Sequence, residues 1–187
     1  MQESSNYIII EFCKLCSWAH ETWLNHKELF ERNPIERKVQ LSGAADVMSR
    51  LSIISQEYSL LQIVKLHDKA IVNGNITLGI DYVIKYFAWD ESTRKKLKEL
   101  EIKLNNFSSK IKSARNKCLS HNDLESILAG ENLGEFQEGE DDAYFECLQE
   151  FVNIVHEEKV GGLWPFDDLV KNDVEAFLSV LQHRDNA

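Results

Sequence analysis

Apolar residues recur along this chain at intervals of three and four rather than alternating, which is the spacing of helices that bury one stripe. Ile9, Phe12, Cys16, Ala19, Trp23 and Phe30 form the first such stripe and predict a helix from about Ser5 to Arg32, stopped by Asn33 and Pro34. A short helix is expected from Pro34, and then a longer one that carries Val47, Leu51, Ile54, Tyr58 and Leu61 inward on its way to His67. The NGN at residues 73 to 75 marks a turn. Thr77 is placed to cap a short helix through Ala88, and Asp90 or Ser92 to cap the next one.

That next helix has the most regular pattern in the chain. Leu97, Leu100, Leu104, Phe107, Ile111, Ala114, Cys118 and His121 alternate by three and four without a break, as in a bundle seam. Beyond Asp123, residues 131 to 146 hold seven acids and no base, and Gly130, Gly134 and Gly139 interrupt any helix, so a loop is expected. Helix resumes near Glu140 and runs to about Glu158, where Gly161 and Gly162 terminate it. The WPFDD at 164 to 168 is a connection, and Val174, Phe177, Leu178 and Leu181 make a final helix.

Composition adds to this pattern. With 187 residues, 43% of them hydrophobic, and no repeat or long linker, the chain is expected to be one domain over residues 1–187. The opening MQESSNYIIIEF has neither a cationic leader nor a long apolar run, so a cytoplasmic protein without a membrane span is expected. Cys13 and Cys16 form a CxxC, but no second pair accompanies it and its neighbours Phe12, Leu15 and Trp18 follow a helical pattern. Core packing is the better reading for these two, and reduced thiols for Cys118 and Cys147 as well. The net charge of −10 excludes a broad nucleic-acid surface. Charge is nevertheless uneven, because residues 94 to 117 carry nine Lys or Arg against two Glu. One cationic helix on an acidic body can attract a polyanion locally.

This cationic helix ends in ARNKCLSHND, residues 114 to 123. Arg115 is a permanent charge suited to phosphate, and His121 exchanges protons near neutral pH. Six residues apart on a regular helix, they lie about 120° from each other around the axis. They converge only if the helix ends near His121, as Asn122 and Asp123 favour, or if two chains share a ligand.

The spacing of Arg115, Asn116 and His121 resembles the signature of the HEPN superfamily (higher eukaryotes and prokaryotes nucleotide-binding domains), an Arg followed by a polar residue and, after a short interval, a His. The stretch IVKLHDKAIVNGNITLGIDYVIKYF, residues 63 to 87, is similar to the matching segment of the abortive-infection, U-type branch, and the likeness covers roughly residues 40 to 125. The resemblance implies an all-α fold, a HEPN-like up-and-down helical bundle with additional helices, paired as a homodimer so that two motifs face one cleft. It also implies a metal-independent endoribonuclease of the toxin or abortive-infection type, acting in antiviral defence on an RNA substrate without metal or other cofactor.

Carried over by position, Arg115 and His121 are the catalytic pair and Asn116 the accessory polar residue. Lys112, Lys117, Ser120 and Asp123 are candidates for holding the substrate or orienting the histidine. An antitoxin or other regulatory partner is also implied. Some HEPN toxins carry a Tyr two residues after the His that accepts AMP; Asp123 stands there in this chain, which argues against silencing by that route.

Two rival readings come from other classes. In the first, a non-catalytic HEPN-like dimeric binding or scaffold module uses the seam helix as its interface. In the second, a metal-dependent phosphohydrolase uses the His67-Asp68 pair, although spacing supplies no further ligands and His26, on an apolar stripe, reads as a core histidine. His156 and His183 sit alone on late helices, and phosphate loops, nucleophile elbows and H-E-x-x-H helices are absent.

Overall fold

A computed structural model of the chain describes residues 2–32, 44–114 and 137–184. Among them the fold is all-α. The helices are α1 (Gln2–His26), α2 (Ala45–Leu66), α3 (Ile80–Tyr86), α4 (Glu91–Ala114), α5 (Glu140–Lys159) and α6 (Leu169–Arg184). The strands β1 (Ile71–Val72) and β2 (Asn75–Ile76) form a small hairpin, and a π-helical segment, Lys27–Arg32, continues α1. The short helix expected from Pro34 and the acidic stretch up to residue 136 lie outside the described residues.

The described chain falls into two compact units, Met1–Cys16 with Leu61–Pro165, and Ser17–Leu60 with Phe166–Ala187. In the first, the seam of α4 is as regular as its spacing predicts. Leu97, Leu100, Leu104, Phe107 and Ile111 are all buried, and α5 is the helix packed most extensively against this one. Phe107 stacks on Tyr144 of α5 with ring centroids 4.8 Å apart, and Phe12 of α1 meets Phe151 of α5 edge-on at 6.0 Å. Cys13 and Cys16 are fully buried free thiols in this core. Burial pushes the Cys13 thiol up to about 12 and the Cys16 thiol well above its ordinary value, so both stay protonated and packed.

Ends and turns follow their local chemistry. Asp90 opens α4, its carboxylate accepting the Thr93 N–H at 2.9 Å together with the Thr93 and Ser92 hydroxyls. Gly139 (φ 85°) precedes α5, and Gly161 (φ 106°) and Gly162 (φ 76°) stop it, their left-handed backbone suiting residues without a Cβ.

One local expectation holds and one changes. The turn at residues 73 to 75 is a two-residue hairpin loop, with Asn73 and Gly74 both at positive φ and Ile71 opposite Ile76, because an Asn-Gly pair fits the turn whose twist matches paired strands. Thr77 does not cap the following helix. Its hydroxyl donates to the Lys69 carbonyl and its N–H to the Ala70 carbonyl, closing the hairpin, while Gly79 occupies the cap position. Space selects glycine there, since a Cβ on Gly79 would lie 2.7 Å from the Leu66 carbonyl oxygen.

In the second unit, Phe30 of the π segment and Met48 of α2 form a small buried cluster, with Leu29, Ala44 and Leu181 against it. His26 is buried between the Trp23 and Phe30 rings, its Nε2 3.3 Å from Glu31. The stripe expected to carry α2 inward faces the other way: Val47, Leu51, Ile54 and Tyr58 are exposed. In their place Ser59 is fully buried, within hydrogen-bond distance of the Thr22 and Ser55 carbonyl oxygens (2.9 and 2.8 Å), and Ser52 and Ser55 are half-buried. Periodicity located the helix; the face that turns inward is the one that carries Met48, Ile63 and Leu66, with Ser59 bonded to a backbone carbonyl between them.

Candidate active site

The helix that leads to the motif is α4, and its cations flank the buried seam in two exposed rows. Lys96, Lys103 and Lys110 are spaced seven apart on one side, and Arg94, Lys98 and Lys112 share the other. Lys98 pairs with Glu101 at 2.8 Å and Lys110 with Glu140 at 2.5 Å. Arg94, Lys95, Lys96, Lys103 and Lys112 are exposed and form no ion pair among the described residues. Lys103 and Lys110 also border an open groove of about 250 Å³ between α4 and α5, floored by Phe107, Ala143 and Tyr144.

Of the residues named from the motif, Lys112 is placed, on the exposed side of the last described turns of α4. Arg115, Asn116, Lys117, Ser120, His121 and Asp123 lie outside the described residues, directly after the point where α4 reaches Ala114.

Midway along α4, at Asn105, stands a polar cluster that spacing did not reveal. His67, just past the end of α2, has Nδ1 2.9 Å from Asn105 Oδ1 and Nε2 2.9 Å from the Tyr144 hydroxyl. Because Asn105 Oδ1 can only accept, Nδ1 carries the proton and Nε2 accepts from Tyr144. Burial, opposed by the Asn105 bond and aided by the charge of Lys112, brings the His67 imidazole down to about 4, so it is neutral at physiological pH. Both ring nitrogens are engaged, which leaves none for a metal. Among the described residues no group of three or more His, Cys, Asp or Glu is arranged to hold one. Asn105 and Tyr144 stand 38 and 77 residues from His67, and no periodicity links such positions.

A neighbouring pocket of about 160 Å³ is lined by His67, Lys69, Ile80, Asp81, Glu101 and Asn105. Burial raises the Asp81 carboxyl, but its bonds to Lys85 and to the Ala70 N–H outweigh that and hold it below its ordinary range. Two carboxylates in so small a space disfavour a phosphodiester. The cationic face of α4 is the better approach for one.

The family model described as AbiU2, of the HEPN superfamily, matches residues 7–177. The chain belongs to the AbiU2 family. No curated protein and no solved structure matches it. In this AbiU2 chain Arg115, Asn116 and His121 come after the last described residue of α4, and the described part of that helix carries an exposed run of cations. The other histidines of this AbiU2 chain with described side chains have packing partners. His20 stacks on Phe166 at 5.0 Å, and His156 bonds the Gly162 carbonyl and packs on Trp164. Among the described residues no helix is long and apolar enough to cross a membrane.

Proposed function

We propose that this protein is a metal-independent endoribonuclease of the HEPN abortive-infection type, built as a single domain and working as a homodimer. The observation that carries this reading is the coincidence of AbiU2 family membership with an intact Arg115, Asn116 and His121 set at the end of a cationic helix. The HEPN superfamily includes ribonucleases and abortive-infection proteins.

In the proposed reaction the 2′-hydroxyl of one nucleotide attacks the adjacent phosphorus. A 2′-oxygen to phosphorus bond forms and the bond to the 5′-oxygen breaks, leaving a 2′,3′-cyclic phosphate and a 5′-hydroxyl. One imidazole takes the proton from the 2′-hydroxyl and another delivers one to the departing 5′-oxygen; His121 and His121 of the partner subunit fill these two roles. Arg115 holds the phosphate oxygens through its planar fork and offsets the charge that builds on them in the transition state. Asn116 orients the histidine or the scissile nucleotide. Lys112 and Lys117 draw the backbone in, and Ser120 and Asp123 complete the contacts around His121. An antitoxin or other partner that restrains the enzyme belongs to the same reading.

The test is cleavage of a mixed RNA in EDTA by wild type, His121→Ala and Arg115→Ala, with product ends identified by mass spectrometry. Wild type is expected to release cyclic-phosphate ends and both variants to lose at least about a hundredfold in rate. Equal activity in all three overturns the assignment.

A further inference from the structure

The stretch of α2 from Val47 to Tyr58 carries apolar residues on its outer face as well as Met48 on its inner one. Ser52, Ser55 and Ser59 turn toward their own chain, while Val47, Leu51, Ile54 and Tyr58 are 56, 46, 60 and 44% exposed. The exposed four are spaced four, three and four apart, which keeps them within about 60° of one another around the axis and is the seam spacing of paired helices. Trp18, also exposed, donates its indole N–H to the Tyr58 hydroxyl at 3.1 Å, fixing that ring and widening the apolar surface at one end. The α4 seam, by contrast, is already filled by its own chain.

We propose that a second copy of this chain covers this face, α2 lying antiparallel on α2 about a two-fold axis that passes between Ser52 and Ile53. The stripe is self-complementary in that register. Leu51 meets Ile54 of the partner subunit and Val47 meets Tyr58 of the partner subunit, and symmetry repeats each contact.

Charge selects the same arrangement. Arg50 and Glu57 lie one heptad apart on the same flank of the stripe, and neither forms an ion pair among the described residues. Antiparallel packing brings Arg50 beside the partner's Glu57, twice. Parallel packing in register sets Arg50 near the partner's Ser55 and leaves both charges unmatched. Such rim pairs add little affinity but fix orientation and register. The inference rests on the homodimer in the proposed function and adds which face makes it.

Sedimentation of the full chain across micromolar concentrations tests it. Wild type is expected to be a dimer that dissociates on dilution, and Ile54→Lys to be monomeric with an unchanged far-ultraviolet circular dichroism spectrum. Arg50→Glu is expected to weaken the dimer by about tenfold, and Glu57→Arg added to it to restore pairing. A monomeric wild type, a dimer indifferent to Ile54→Lys, or a double variant no tighter than Arg50→Glu overturns the proposal. RNA cleavage is not read in this experiment, so absent cleavage in the assay above leaves the interface standing; a dimer indifferent to Ile54→Lys overturns this face alone, whereas a monomeric wild type also removes the paired histidines of the proposed reaction.

Discussion

His67 ties the stability of this protein to pH. Its ring is held neutral, with a pKa of about 4 against an ordinary 6.5, chiefly by burial. The folded state therefore binds fewer protons than the unfolded state between those two values, and the contribution of His67 is complete above 6.5 and lost as pH falls toward 4. A displacement of about 2.5 pH units corresponds to about 3 kcal/mol in the limit, and to about 2.5 kcal/mol by pH 4.5. Replacing His67 with Gln removes the titrating group while keeping an amide that can reach Asn105 or Tyr144.

Urea unfolding of wild type and His67→Gln at pH 7 and pH 4.5 isolates the effect, since the carboxylates and other histidines titrate in both proteins. Wild type is expected to lose about 2 to 3 kcal/mol more than the variant over that interval. A proton NMR titration of the His67 ring checks the pKa directly. Equal losses in the two proteins, or a ring that titrates near 6.5, would refute the reasoning.

Two further outcomes follow from packing. Gly79→Ala places a methyl 2.7 Å from the Leu66 carbonyl oxygen, a backbone atom with little room to yield, and is expected to cost about 1 to 3 kcal/mol by urea denaturation. Leu104→Ala hollows the fully buried centre of the α4 seam and is expected to cost about 2 to 5 kcal/mol by the same measurement, whereas Lys96→Ala on the exposed flank should change stability little.

The fold was legible where one face of a helix is apolar and the other is not. The α4 seam from Leu97 to Ile111 emerged from spacing alone, as did the start of α5 near Glu140 and its glycine stop. Direction proved harder than existence. In α2 the same spacing marks Val47, Leu51, Ile54 and Tyr58, but a hydrophobic period says only that residues share a face, and the face with Met48, Ser59 and Ile63 took the inner position. Thr77 and Gly79 show the local version of this limit, because the requirement at Gly79 is a close approach by Leu66 that no neighbouring residue announces.

The candidate site was legible as chemistry but not as geometry. Arg115, Asn116 and His121 announce themselves by type and interval, since guanidinium and imidazole at that spacing suit a phosphodiester. The His67, Asn105 and Tyr144 cluster could not be read in advance, because it joins the end of one helix to two others far along the chain. In sequence His67 stands beside Asp68 as in a metal-binding pair; in the folded chain its hydrogen bonds give it a structural place.

Under the proposed pairing, the outward row on α2 also links behaviour to abundance. Association of two copies is second order, so at low concentration the paired fraction falls in step with the amount of chain present. A cell holding few copies keeps Leu51 and Ile54 in water on nearly all of them, and one holding many covers them, so synthesis rate alone would set how much of the protein is assembled.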